Sequence, residues 1–289
     1  MTNPFYGTIT TGPLAQSVVA QRQLLLPYPQ FTGITIMDDT WGSSTYHALA
    51  LKVKAPLRHG TSALLSYTFS KEIADVMNSL TTYNNGINAG LNTSVQNPYD
   101  LRAERSVAEL DTPQDLSINY TAELPVGHGR RFLSNAAGME QWLLGGWQSN
   151  GIFTYRSGYP LVMTATIVGG GNRPNKTCAG GIAHSSRVQE VKEWFNTSCF
   201  VVPAPFNFGD ESRTDPQLRG PSFTQFDTAL EKHNQVKDLD VMFRAEAFNL
   251  FNTIHFWMPD TNANDLTFGQ VQSTTGTPRV LQFALKITF

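Results

Sequence analysis

Arg279-Val-Leu-Gln-Phe-Ala-Leu-Lys-Ile-Thr-Phe289 is the stretch whose reading decides the fold. Leu281, Phe283, Leu285, Ile287 and Phe289 alternate with Gln282, Ala284, Lys286 and Thr288. The period is two residues, so the apolar row takes one face of a β-strand and the small or polar row takes the other. A soluble sheet seldom leaves a long apolar strand at an open edge, because unpaired edges invite aggregation. A strand of about 9–11 residues with one lipid-facing row is the unit of an outer-membrane barrel. By itself the stretch leaves a membrane barrel and an ordinary amphipathic edge strand equally open.

The same alternation recurs upstream, over 44–55, 61–71, 113–124, 141–156, 222–235 and 239–252, and closes with 279–289. Leu49, Leu51 and Val53 alternate with Ala50, Lys52 and Lys54. Leu116, Ile118 and Tyr120 alternate with Ser117, Asn119 and Thr121. In 141–156, Leu143, Gly145, Trp147, Phe153 and Tyr155 are read outward, and Gln148, Asn150, Thr154 and Arg156 inward. Residues 1–43 are turn-rich and read as irregular with possible strand, ending near a polar tip at 38–44.

The connections separate the two readings. Stepping back from the last strand they run long (253–278), short (236–238), very long (157–221), medium (125–140), long (72–112) and short (56–60). Long outer loops alternating with short periplasmic turns mark outer-membrane barrels. A soluble sandwich has no reason to show that asymmetry. The expected fold is all-β: an antiparallel transmembrane β-barrel wall with long extracellular loops. Lys52, Lys54, Glu123, Arg156, Asp227, Glu231, Arg244, Glu246 and Lys286 fall on the inward rows and are read as lumenal charges. An Arg or Lys facing lipid at mid-membrane would cost about 2–4 kcal/mol.

Composition agrees. Charged residues are 15% of the 289 and the net charge is −2, which gives no basic surface for nucleic acid. No run approaches the ~18 apolar residues of a transmembrane helix. The start has no basic region and no apolar core, so it does not read as a signal peptide. Cys178 and Cys199 share the longest connection. A loop disulfide, suited to an oxidising compartment, is favoured over two separate thiols. No catalytic or cofactor chemistry is read. The six histidines, among them His59, His184 and His255, lack ligand spacing, and Gly169-Gly-Gly-Asn172 lacks the Lys-Ser/Thr of a phosphate loop. Asp210-Glu211, Asp238 and Asp240 read as turn residues rather than a cation site. No Gly-x-Ser-x-Gly elbow is present. Tyr83, Tyr99, Trp194 and Phe195 are aromatic candidates for loop contacts with ligand, or for loop packing.

Several stretches resemble one family in order and spacing: Asn3-Pro-Phe-Tyr-Gly7, Leu24-Leu-Leu-Pro-Tyr-Pro-Gln-Phe31, Ser44-Thr-Tyr-His-Ala-Leu49, Ser66-Tyr-Thr-Phe-Ser-Lys71, Glu123-Leu-Pro-Val-Gly127 and Phe243-Arg-Ala-Glu-Ala-Phe-Asn-Leu-Phe-Asn252. Together they resemble the last third of the barrel in TonB-dependent outer-membrane receptors of the Oar-like group. The resemblance implies a 22-strand-type barrel for energised uptake of a large nutrient, such as a siderophore or glycan. Phe283, Leu285, Ile287 and Phe289 resemble the signal read by the barrel-assembly machinery. The family pattern includes a plug and a TonB-contacting box, which are absent here, so the chain is expected to be the C-terminal part of such a barrel. The implied partners are outer-membrane lipid, the assembly machinery, an unknown nutrient, and TonB only through an N-terminal part. An adhesion or structural barrel displaying loops, a small stand-alone barrel and a soluble β-sandwich module are the competing readings.

Overall fold

The computed structural model describes residues 1–33, 41–56, 60–76, 95–169, 171–182, 186–236 and 239–289. The turns at 57–59 and 237–238, the tip at 38–40, Tyr83 with its Asn-rich neighbours, His184, and Gly170 of the glycine run lie outside them. In chain order the elements are helix α1 (Gln21–Leu24), β1 (Ser44–Pro56), β2 (Ser62–Ala74), β3 (Ser106–Val107), β4 (Gln114–Glu123), α2 (Gly138–Leu144), β5 (Trp147–Arg156), β6 (Asn175–Lys176), α3 (Arg187–Lys192), β7 (Phe200–Val201), β8 (Phe223–Val236), β9 (Leu239–Phe248), β10 (His255–Phe256), β11 (Thr274–Thr275) and β12 (Val280–Thr288). Short 3-10 turns occur at Pro13–Ala15, Leu101–Glu104 and Thr197–Cys199.

The long strands form one antiparallel meander in the order β1-β2-β4-β5-β8-β9-β12, with β3 added to β2. Paired residues share a face, so the register shows whether the apolar rows meet. They do: Val53 opposes Leu65, Leu65 opposes Ile118, Ile118 opposes Phe153, Phe153 opposes Phe226, and Phe243 opposes Leu285. A slip of one residue at any pair would throw a whole polar row onto that face. At its β12 edge the apolar face is bare. Phe283 is 69% exposed and Leu285 65%, which is untenable in water for a row this long and natural in lipid. Among the described residues the sheet is an open wall, for β1 and β12 each pair on one side only.

The hydrophobic core sits in the loops rather than on the sheet. Leu161, Met163, Phe195, Cys199, Phe200 and Leu218 form the buried cluster, with Trp194, Met258 and Phe268 packed against it. Phe195 meets Phe268 edge-on at 5.1 Å and Phe200 at 5.5 Å. Residues from 157–222, 253–278 and 95–113 therefore fold into one cap at a single end of the wall. Thr164 N donates to Thr261 O at 2.9 Å and Trp194 N to Gly269 O at 2.7 Å, tying two of the connections together.

The structure corrects several boundaries. Residues 141–144 are not strand. They belong to α2, and β5 starts at Trp147. Trp142-Leu143-Leu144 is a consecutive apolar run rather than an alternation, and Gly146 (φ 75°) breaks the chain direction between helix and strand. Leu143 and Gly145 are thus off the outward strand row. The strand expected over 239–252 stops at Phe248, because Asn249 and Asn252 take left-handed backbone (φ 51° and 52°). Asn249 is buried there, with its amide nitrogen bonded to Thr253 O and Thr277 O. Residues 72–74 continue β2 instead of opening the loop. Among the described residues of 1–43 no extended strand occurs, only the bridges Thr2–Val18 and Tyr6–Ile9 beside α1.

Candidate functional site

The polar face carries the site. Its rows run across the wall in register: Ser66 opposite Ser117, Ser117 opposite Thr154, Thr121 opposite Asn150, and Glu231 opposite Arg244. Lys52 opposes Ser66 and Lys54 opposes Leu64 on the same face, in the outermost strand. Arg244 is held in the plane of the wall by Glu231 and Glu246, each at 2.8 Å. Arg156 pairs with Asp115 at 3.0 Å near the cap end, and Glu123 pairs with Arg130 near the opposite end. Lys286 lies opposite Met242 on this row. Between these charges runs a groove of about 420 Å³ whose lining includes Asn119, Gln148, Asn150, Glu231 and Arg244. One face is thus mainly apolar, and the other is polar, grooved and laced with ion pairs.

A family model described as an outer membrane beta barrel domain matches residues 3–282. The chain belongs to the outer membrane beta barrel domain family. It therefore resides in the outer membrane of a Gram-negative bacterium. No match to a curated protein or to a solved structure was found. In a barrel of this family the apolar face meets lipid and the polar face lines the lumen. The end bearing the long connections is the cell-surface end.

At the surface mouth of this barrel wall, where β5 ends and β8 begins, a second cavity of about 220 Å³ opens between wall and cap. Tyr159, Phe223, Phe256, Trp257 and Met258 make it mainly apolar, and Arg156 and His255 add polar groups. His255 is buried, stacked on Phe223 at 4.5 Å and 22°. Its Nε2 bonds Thr224 O at 2.9 Å, while Nδ1 has no hydrogen-bond partner. Such a cavity suits a flat ring or a sugar face better than a compact ion.

The cap above is tied down by buried ion pairs, three of which link separate connections while the fourth closes within the longest. Arg173 bonds Glu104, Arg213 reaches Glu109 at 3.4 Å, Arg219 bonds Asp111 at 2.6 Å and Lys176 bonds Asp215 at 2.5 Å. Arg213 also donates to Ala74 O at 2.7 Å and Glu104 O at 3.0 Å, so it clamps the longest loop to the end of β2. Burial pulls the Arg213 guanidinium below its ordinary value, against the pull of Glu109 and Glu104. Burial, and then the nearby Asp215, push the Glu211 carboxyl up; its Oε2 is buried without a hydrogen-bond partner. Cys178 and Cys199 are joined by a disulfide, Cα atoms 5.0 Å apart, with Cys199 inside the cap core. Phe195 is also a core residue and Trp194 packs against the core, so the loop-packing reading applies to both, while Tyr99 is 86% exposed. Phe289 projects fully into the surroundings. Among the described residues no cluster of three or more His, Cys, Asp or Glu side chains is gathered as a metal site requires.

Sequence reasoning did not find the ion-pair lattice. Its members lie up to 109 residues apart in contacts such as Arg213 to Glu104. The only local signal was the mixed-charge run from Asp100 to Asp111, which a polar loop would also show. It also missed Lys232, which sits on the lipid-facing row opposite Phe243 and Trp147.

Proposed function

We propose that this outer-membrane barrel domain is the C-terminal wall of a TonB-dependent receptor, of the Oar-like group that the sequence resembles, and serves energised uptake of a large nutrient. The observation that carries the reading is the grooved polar lumen face roofed by a folded surface cap, with an aromatic-walled cavity at their junction. A display barrel needs loops but has no use for a shaped path below them. The open edges at β1 and β12 support a larger, 22-strand-type wall, since unpaired strand edges are not viable in lipid. Ligand would enter through the cap, contact the mouth cavity and pass along the lumen, with TonB engaged through an N-terminal part of the same receptor. Phe283, Leu285, Ile287 and Phe289 serve as the barrel-assembly signal in this reading.

A second reading is a surface adhesion or structural barrel. The density of the cap favours it, because buried ion pairs and a disulfide give a rigid platform rather than loops that close over ligand. One experiment separates the two. Outer membranes of the source organism are blotted with an antibody to the terminal peptide, with and without boiling, after in vivo crosslinking to TonB. A heat-modifiable band well above 31.9 kDa that shifts on crosslinking to TonB supports transport. A large band that never crosslinks favours display. A heat-modifiable band near 31.9 kDa means a stand-alone barrel and sinks the receptor assignment.

A further inference from the structure

The connection between β4 and β5 lies at the end of the wall opposite the cap, and it contains α2. Within this helix Met139, Trp142 and Leu143 recur at the spacing that puts side chains on one face. They are 77%, 50% and 50% exposed. The opposite face is occupied: Gln141 Oε1 accepts from His128 N at 2.6 Å and the side chain packs against Gly127 and Gly145. The helix is thus pinned by its polar side, and its apolar side is left half or more exposed among the described residues. A short helix held this way has no folding reason to present a Trp, a Leu and a Met outward.

Two contacts fix where that apolar side sits. Trp147, on the lipid-facing row of β5, donates from Nε1 to Leu143 O at 3.0 Å. Lys232, on the lipid-facing row of β8, donates to Gly145 O at the end of the helix and lies 5.6 Å from the Trp147 ring. The helix is therefore continuous with the apolar face of the barrel and sits at its periplasmic rim. Trp gathers at membrane interfaces, and a Lys near the rim runs its stem along apolar surface with its ammonium toward polar groups. Arg131, exposed in the same connection, lies over the Phe132 ring at 5.6 Å.

We infer that α2 is a membrane-surface anchor: Met139, Trp142 and Leu143 insert into the phospholipid of the periplasmic leaflet, and Lys232 and Trp147 hold the helix at the headgroup boundary. The inference rests on the barrel-wall reading but not on the transport reading. Residues on such a helix lie about 5–10 Å into the headgroup–acyl boundary.

The test is site-directed spin labelling of the full-length product, reconstituted in phosphatidylethanolamine–phosphatidylglycerol vesicles. Nitroxides are placed at Met139→Cys, at Phe283→Cys as a lipid-facing control, and at Val188→Cys as a cap control. Relative accessibility to oxygen and to a neutral nickel chelate reports depth. The inference expects Met139→Cys to favour oxygen, shallower than Phe283→Cys and well apart from Val188→Cys. A reading equal to Val188→Cys places the helix in water and overturns the inference. Low accessibility to both probes means that protein covers the helix, and overturns it equally. If Phe283→Cys itself reads as aqueous, the barrel wall fails and the anchor fails with it.

Discussion

Glu104→Ala should loosen the surface cap without disturbing the membrane wall. Glu104 is 1% exposed and its partner Arg173 5%. One carboxylate oxygen takes the Arg173 guanidinium, and the other accepts from Gln96 N at 3.1 Å. Removing the carboxylate leaves the Arg173 charge buried, in the neighbourhood of the Arg213 guanidinium that it already opposes. Breaking a buried pair by deleting one member costs about 3–5 kcal/mol. Two hydrogen bonds to a charged group, at about 1.5–3 kcal/mol each, give a similar figure for the same interaction. At about 1.4 kcal/mol per tenfold, the open fraction of the cap rises by roughly 10² to 4 × 10³. Native-state proteolysis of the detergent-purified protein, with cuts mapped by mass spectrometry, reads that population directly. Cleavage within 95–113 and 157–222 should accelerate by about that factor while heat-modifiable migration persists. The double variant Glu104→Met/Arg173→Met should recover most of the loss, because apolar replacement of a buried pair is close to neutral. An acceleration below about threefold, or a double variant as labile as the single, would refute the reasoning.

Replacing Cys178 and Cys199 together by Ser should destabilise the cap by about 3 kcal/mol, from the closed loop of 21-residue separation; the midpoint of cap melting followed by Trp fluorescence checks it. The same melt should depend on pH through Glu211. Its folded value is raised above the ordinary 4.5, so its contribution is present below 4.5 and is lost as pH rises through the raised value. Glu211→Gln should flatten that slope, and identical slopes in both proteins would count against the assignment. Ile118→Arg and Ser117→Arg change neighbouring positions on opposite faces. Denaturant titration in lipid should show a loss of about 2–4 kcal/mol for the first and far less for the second. Phe289→Ser should lower the amount of protein reaching the outer membrane while leaving in vitro folding into detergent intact; equal membrane levels would remove the assembly-signal role.

The alternation of residues such as Leu281 to Phe289, or Leu116 to Glu123, decided by itself that these segments are strands, which face meets lipid and which meets the lumen. Period-two patterning is local, and it needs no partner to be read. The spacing between strands decided which connections lie outside, since a long loop at the surface and a short turn below follow chain length alone. What the sequence could not decide is how those loops fold. The contacts of Arg213 with Glu104 and Ala74 join segments 109 and 139 residues apart, and no short-range pattern encodes them. Only the tertiary structure places the hydrophobic core in the cap and gathers His255, Phe223 and Trp257 around the mouth cavity. It alone turns the apolar run around Trp142 into a helix, because three consecutive apolar residues fit a strand or a helix until Gly145 and Gly146 set the direction of the chain. Local chemistry fixed the wall, and long-range packing fixed everything built on its rims.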